Sequence, residues 1–200
     1  GYRVEPYFID TIVAGDGKLV FEHEHTRVCE SDACDGQAAE RVIAAENAWQ
    51  ITSMLRDVIR MGTATKARSL KRNYIAGKTG TTNDQRDAWF SGFTRDIVTT
   101  VWMGFDTPTP LGKKETGGKL ALPPWVAYMD QALQGTEDRG WDKPPGMVTV
   151  KIDPETGLRA APGNTKAVME TFTAGTVPEM QSAISVLPSS GEAKVPEQLF

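Results

Sequence analysis

The chain has 200 residues, with 40% hydrophobic and 24% charged residues, the balance of an ordinary globular protein. That length supports one domain with a real core, or part of a larger domain. A formal net charge of −4 gives no reason to expect a nucleic acid partner, and no apolar run approaches the length of a membrane span.

The first 20 residues lack the basic and apolar regions of a signal peptide. No initiator Met precedes Gly1-Tyr2-Arg3, so a fragment whose start lies elsewhere is expected. Tyr7 to Val13 is rich in β-branched and aromatic residues and reads as a strand. Ala14-Gly15-Asp16-Gly17 is a turn sequence and Lys18 to Phe21 a returning strand, which predicts a β-hairpin within residues 1–28. Glu22-His23-Glu24-His25 continues it with both imidazoles on one face.

Cys29 and Cys34 lie in a polar stretch with Asp32, Asp35 and Gly36, and three readings stay open. They form a small disulfide loop, which would place the chain outside the cytoplasm, or remain two unpaired thiols, or bind zinc with His23 and His25. The spacing matches no common zinc module.

Residues 47–61 carry the clearest helical period, with Ile51, Met54, Leu55, Val58 and Ile59 on one stripe expected to face the core. Asn47 is the expected cap, with Gln50 in the reciprocal position, and Gly62 the expected stop. Arg56, Arg60, Lys66, Arg68, Lys71 and Arg72 then make a basic stretch. A solvated face is the plain reading, and contact with an anionic polymer or lipid surface the sharper one.

Residues 74–105 predict a three-strand antiparallel meander: Tyr74–Gly80, Ala88–Thr94 and Ile97–Phe105, dense in Trp, Phe, Val, Ile and Thr. Thr107 to Leu122 reads as a loop. Residues 123–134 predict a helix that opens on Pro123-Pro124 and carries Trp125, Val126, Met129, Ala132 and Leu133 on one face. Residues 136–175 read as a linker and a small β appendage that starts at Met147–Ile152, and residues 176–200 as a disordered tail.

The stretch Gly77-Lys78-Thr79-Gly80-Thr81 joins a cation, short hydroxyls and glycines on one strand. An acyl transfer from an attacked carbonyl needs fixed backbone N–H groups for the oxyanion, and a strand edge supplies them. Glycines let a substrate backbone lie close. Thr79 and Thr81 offer hydroxyls to a substrate carboxylate, and Lys78 can orient a neighbouring hydroxyl and aid proton movement. A substrate strand could add itself to that edge.

Six blocks stand in order along the chain: Gly1-Tyr2-Arg3-Val4-Glu5-Pro6-Tyr7-Phe8-Ile9, Gly62-Thr63-Ala64-Thr65, Gly77 to Asp84, Asp87-Ala88-Trp89-Phe90-Ser91-Gly92-Phe93-Thr94, Trp102-Met103-Gly104-Phe105-Asp106 and Glu115-Thr116-Gly117-Gly118. In these the chain, up to about Gly175, resembles the carboxy-terminal part of the transpeptidase domain of class A, bifunctional 1A-type penicillin-binding proteins. The resemblance implies an α+β fold, an antiparallel sheet flanked by helices as in serine β-lactamases, incomplete in this chain. It implies a peptidoglycan D,D-transpeptidase that works through a serine acyl-enzyme on the periplasmic face of the inner membrane, with stem peptides and β-lactams as ligands and neither cofactor nor metal. Lys78, Thr79 and Gly80 would form the third active-site motif. Lys78 would hydrogen-bond the serine of the second, Thr79 and Thr81 would hold the carboxylate, and the Thr81 N–H would supply half of the oxyanion hole. Asp87 and Trp89 would shape the loop and pack.

The family's Ser-x-x-Lys and Ser-x-Asn motifs occur nowhere among the serines of this chain. Thr63-Ala64-Thr65-Lys66 falls in a different block and reads as structural. The resemblance therefore implies that the nucleophile motifs, the membrane anchor and a glycosyltransferase domain lie upstream of Gly1. A D,D-carboxypeptidase or β-lactamase with water as acceptor, and a catalytically dead wall-binding domain, are the alternatives.

Overall fold

A computed structural model describes residues 1–28 and 37–181. The Cys29–Cys34 loop, with its disulfide and zinc readings, and the end of the tail from 182 to 200 lie outside the described residues. The chain divides into two compact units, Gly1–Pro144 and Pro145–Phe200.

The first unit opens on a short antiparallel hairpin, β1 (Thr11–Val13) and β2 (Leu19–Glu22), paired Thr11↔Glu22 and Ile12↔Phe21. The Gly17 amide reaches the Ala14 carbonyl, and a φ of +84° there suits glycine. Tyr7 to Asp10, expected in the strand, lie outside it. Tyr7 instead stacks on His23 with ring centroids 3.9 Å apart, and its hydroxyl lies 3.1 Å from His25 Nδ1. A two-residue parallel pair follows, β3 (Thr26–Arg27) with β4 (Gln37–Ala38).

Helix α1 runs from Ala45 to Arg60, so it starts two residues before Asn47. Ala44 takes the cap position with an extended backbone and no side-chain cap hydrogen bond, which corrects the expected Asn47 cap. Two alanines and Glu46 in the first turn favour the earlier start by propensity and by the helix dipole. The Gly62 amide reaches back to the Asp57 carbonyl and ends the helix. The apolar stripe is only partly a core face: Ile59 is buried, Leu55 and Val58 are half-buried, and Ile51 and Met54 are exposed.

Through a 3-10 helix at Thr65–Leu70 the chain enters β5 (Ala76–Thr81), β6 (Asp87–Phe93) and β7 (Val98–Gly104). They form an antiparallel sheet in the order β5-β6-β7. One face, with Gly77, Ala88, Phe90 and Gly92, is buried beneath helices: α1 lies against β5, and α3 (Leu122–Ala132) lies against β6 and β7. Trp125 meets Phe90 edge to face, 4.8 Å between centroids, and its indole N–H donates to the Thr99 carbonyl at 3.0 Å. Ile59, Ala64, Ala67, Ile75, Leu122, Met129 and Leu133 complete this core. The opposite sheet face, with Lys78, Trp89, Ser91, Val98 and Trp102, is exposed.

Within the stretch expected as a loop, Gly117–Leu120 forms a one-turn helix, α2. The Lys119 and Leu120 amides both reach the Thr116 carbonyl, which closes the turn. Helices on one face of an antiparallel sheet make this an α+β fold, as the sequence implied.

In the second unit, β8 (Met147–Ile152) and β9 (Val168–Thr173) pair antiparallel, Met147↔Thr173 through Ile152↔Val168. Buried Asp153 organises the connection: its carboxylate accepts the Glu155 amide at 2.9 Å and the Asn164 side-chain amide at 3.1 Å. Residues 176–181, expected to be disordered, are held instead. The Arg159 amide donates to Glu179, and the Arg159 carbonyl accepts the Gln181 amide, both at 2.9 Å. Glu179 to Gln181 bury little, and this backbone pairing is what orders them.

Candidate active site

Among the described residues, strand β5 is an edge strand, paired on one side only with β6. The Thr82 amide donates to the Asp87 carbonyl at 3.1 Å, and hydrogen-bonded pairs alternate along an antiparallel ladder. Through the register Gly80↔Trp89 and Lys78↔Ser91, the ladder bonds therefore fall on Gly80 and Lys78. Thr79 and Thr81 turn their N–H and C=O groups to the free edge. The Lys78 ammonium donates to the Thr79 carbonyl at 2.9 Å, an oxygen the ladder leaves free.

Side chains alternate across the strand as well. Lys78 stands exposed on the bare face, with Trp89 and Ser91 beside it. Thr79 and Thr81 lie on the other face, where α1 ends and α2 begins. Thr79 Oγ1 is 2.7 Å from Thr63 Oγ1, just beyond the end of α1. Thr81 Oγ1 accepts the Gly117 amide at 3.0 Å, at the start of α2. Gly80 sits between them, its missing side chain leaving Trp89 Cβ in close approach. Three hydroxyls on the helix-covered face and the free amides of Thr79 and Thr81 thus lie along one edge, which Lys78 reaches from the other face through the Thr79 carbonyl.

Gly117 can occupy its place only without a side chain, since a Cβ there would run into the carbonyl oxygens of Gly80 and Trp89. The turn after β5 is fixed by Asp87. Its carboxylate accepts the Thr82 hydroxyl at 3.2 Å and the Trp102 indole N–H at 3.0 Å, and the Asp87 amide donates back to Thr82 Oγ1 at 2.8 Å. Trp89 and Trp102 pack with centroids 6.1 Å apart. Asp84 and Gln85 in that turn adopt positive φ of 58° and 55°. The Gln85 carbonyl and side-chain oxygen tie down the amides of Leu111 and Glu115 at 2.8 and 3.2 Å.

The four residues singled out from the sequence, Lys78, Thr79, Gly80 and Thr81, are thus contiguous on one edge. Sequence reasoning gave Thr63 no part in the site. The signal was there in Gly62-Thr63-Ala64-Thr65, a run of small residues directly after a helix, but the strand it meets is 16 residues on. In the sequence Gly117 stands out only as part of the Glu115-Thr116-Gly117-Gly118 block; its amide is a neighbour of Thr81.

The penicillin binding protein transpeptidase domain model matches residues 1–124, and the model of the penicillin-binding protein 1A C-terminal domain matches residues 143–184. The chain belongs to the penicillin-binding protein transpeptidase family. Within it, the chain is similar to penicillin-binding protein 1A of Pseudomonas aeruginosa, 40% identical over 86% of this chain and 26% of that protein. Penicillin-binding protein 1A of Neisseria cinerea is 37% identical over 98% of this chain and 27% of its own length. The crystal structure of penicillin-binding protein 1A from Haemophilus influenzae superimposes with a TM-score of 0.81 at 34% identity, over 91% of this chain and 31% of that one. The chain spans about a quarter of the length of these two curated relatives.

Proposed function

We propose that this chain supplies the Lys78–Thr81 strand of a peptidoglycan D,D-transpeptidase that acts on the periplasmic face of the inner membrane. The observation that carries the reading is the free edge of β5, with the Thr81 amide and the Thr79 and Thr81 hydroxyls beside an exposed lysine. Family membership and the position of this strand in the matched region support it.

In this mechanism a donor stem peptide lies along β5, its terminal carboxylate against Thr79 and Thr81. A serine from a segment upstream of Gly1 attacks the penultimate D-alanine carbonyl and gives up its proton to a base. The Thr81 N–H holds the oxyanion, a contact whose loss costs about 10²–10³ in rate in comparable sites. The amide bond breaks, and the terminal D-alanine leaves with a proton. An amine on a neighbouring strand then attacks the ester, restores the serine and forms the cross-link. Lys78 steers the proton through a neighbouring hydroxyl. A β-lactam enters the same way, its carboxylate on the two threonines and its ring carbonyl opened by the serine. The upstream serine is part of the proposal because no serine of this chain has Lys three residues on or Asn two residues on.

The test uses the protein as its cell makes it, with a D-alanyl-D-alanine peptide and a labelled amine. One D-alanine released per new amide is the expected result. Hydrolysis without amide formation identifies a carboxypeptidase or β-lactamase instead. No release from a folded protein identifies a non-catalytic wall-binding domain.

A further inference from the structure

At the start of β5, away from Thr79 and Thr81, α1, the 3-10 helix and the segment before the strand enclose a cavity of about 530 Å³. Among the described residues its lining holds Ile75 and five cations, Arg56, Arg60, Arg68, Lys71 and Arg72, and no carboxylate. Six residues of extended chain separate Ile75 from Thr81, about 20 Å, so this is a separate place from the catalytic edge.

The protein neutralises few of these charges itself. Arg60 pairs with Asp57 at 3.1 Å. Arg72 donates to the Thr136 and Leu133 carbonyls, and Arg56 to the Asn73 carbonyl at 3.2 Å while lying 4.9 Å over the Tyr74 ring. All of these carbonyls are neutral. The nearby Asp138 carboxylate is taken by the amides of Asn73 and Tyr74. Arg56 Nε is buried without a hydrogen-bond partner among the described residues. The Arg68 and Lys71 side chains make no ion pair or hydrogen bond among the described residues, and both are exposed.

Gathering like charges costs free energy that a bound anion returns. We propose that this cavity binds a phosphate-bearing group, best a diphosphate. A monocarboxylate neutralises one of five cations. A diphosphate brings several charges and oxygens that guanidinium forks match in pairs. Arg68 and Lys71 grip the anion, with the guanidinium groups of Arg56, Arg60 and Arg72 lining the cavity around it. The group comes either from a soluble phosphate compound or from the head of an anionic lipid. The site does not depend on the acyl-transfer reading.

The experiment titrates inorganic pyrophosphate into the protein as its cell makes it, and separately measures sedimentation with phosphatidylglycerol vesicles. Wild type is compared with Arg68→Gln/Lys71→Gln and with Lys71→Gln alone, with the melting temperature of each recorded. Both positions are exposed, so the variants should melt like wild type. Saturable one-to-one pyrophosphate binding, weakened at least tenfold in the double variant and unaffected by equimolar acetate, is the expected result. If pyrophosphate also strips the protein from vesicles, the source is a lipid head. If it binds without vesicle association, the source is soluble. Absence of saturable binding, or equal binding by the double variant, overturns the proposal, as does vesicle binding that neither pyrophosphate nor the substitutions reduce.

Discussion

Thr63 Oγ1 and Thr79 Oγ1 share a hydrogen bond of 2.7 Å across 16 residues of sequence. It ties the turn after α1 to the strand that carries Lys78. Thr63→Val keeps the shape and removes the hydroxyl, so Thr79 loses the partner that orients it. The expected effect is a roughly tenfold slower β-lactam acylation of the complete enzyme, which corresponds to about 1.4 kcal/mol, with a stability change of about 1 kcal/mol or less. Stopped acylation with a fluorescent penicillin and urea denaturation measure the two. An unchanged acylation rate would remove Thr63 from the site.

Gly117→Ala places a methyl group against the carbonyl oxygens of Gly80 and Trp89, which belong to the sheet and cannot yield. Overpacking of this kind costs about 1–3 kcal/mol. The Gly117 amide would also be pushed away from Thr81 Oγ1. The midpoint of denaturation should fall, and acylation should slow even well below that midpoint. A variant with wild-type stability would contradict the packing described here.

Asp87→Ala leaves the Trp102 indole and the Thr82 hydroxyl without their acceptor. These groups are partly solvated, so about 1–2 kcal/mol is the expected loss. Asp87→Asn can still accept from one of them and should lose less. Chemical denaturation of the two variants checks the order, and equal losses would show that the charge, not the acceptor geometry, matters.

Trp125→Ala empties the centre of the core and frees the Thr99 carbonyl. A loss of about 3–5 kcal/mol is expected. Failure to obtain folded protein, or a midpoint shift of that size, meets the expectation; a shift below 1 kcal/mol would not.

The strand that carries the candidate site residues was legible because chemistry and strand pattern coincide in six residues. Ala76 to Thr81 gathers a cation, two hydroxyls and two glycines on one strand, and the aromatic and β-branched residues of β6 and β7 leave no rival for partners. Which edge of β5 stays free was not legible, since pairing depends on the rest of the sheet. The strand starts at Ala76 rather than Tyr74 because Asp138 captures the Asn73 and Tyr74 amides, a contact made across 64 residues or more. The periodicity of α1 was visible, but not how much of its stripe is covered. Ile51 and Met54 obey the same period as Ile59 and remain exposed. The single turn of α2 is too short to show any period at all. Composition places Gln181 in a disordered tail, because composition is blind to a pairing made by backbone alone.

Exposed apolar groups also bear on the isolated chain. Phe8, Val20, Phe21, Ile51, Met54 and Val98 all lie open, as does the Trp89 and Trp102 face of the sheet. Surfaces of this kind bind dyes and one another. The 200-residue chain alone should therefore bind 8-anilinonaphthalenesulfonate, self-associate and lack a sharp melt. A cooperative melt of a monomer without dye binding would contradict this.

The most direct test of the central claim is covalent labelling by a fluorescent penicillin, read on a denaturing gel. Three samples are compared: the 200-residue chain, the polypeptide of its natural reading frame, and that polypeptide with Lys78→Ala. If Lys78 serves a serine held by another segment, only the second labels strongly, and the third falls by about 10²-fold or more. Labelling of the 200-residue chain by itself would place the nucleophile among its own side chains and contradict the account.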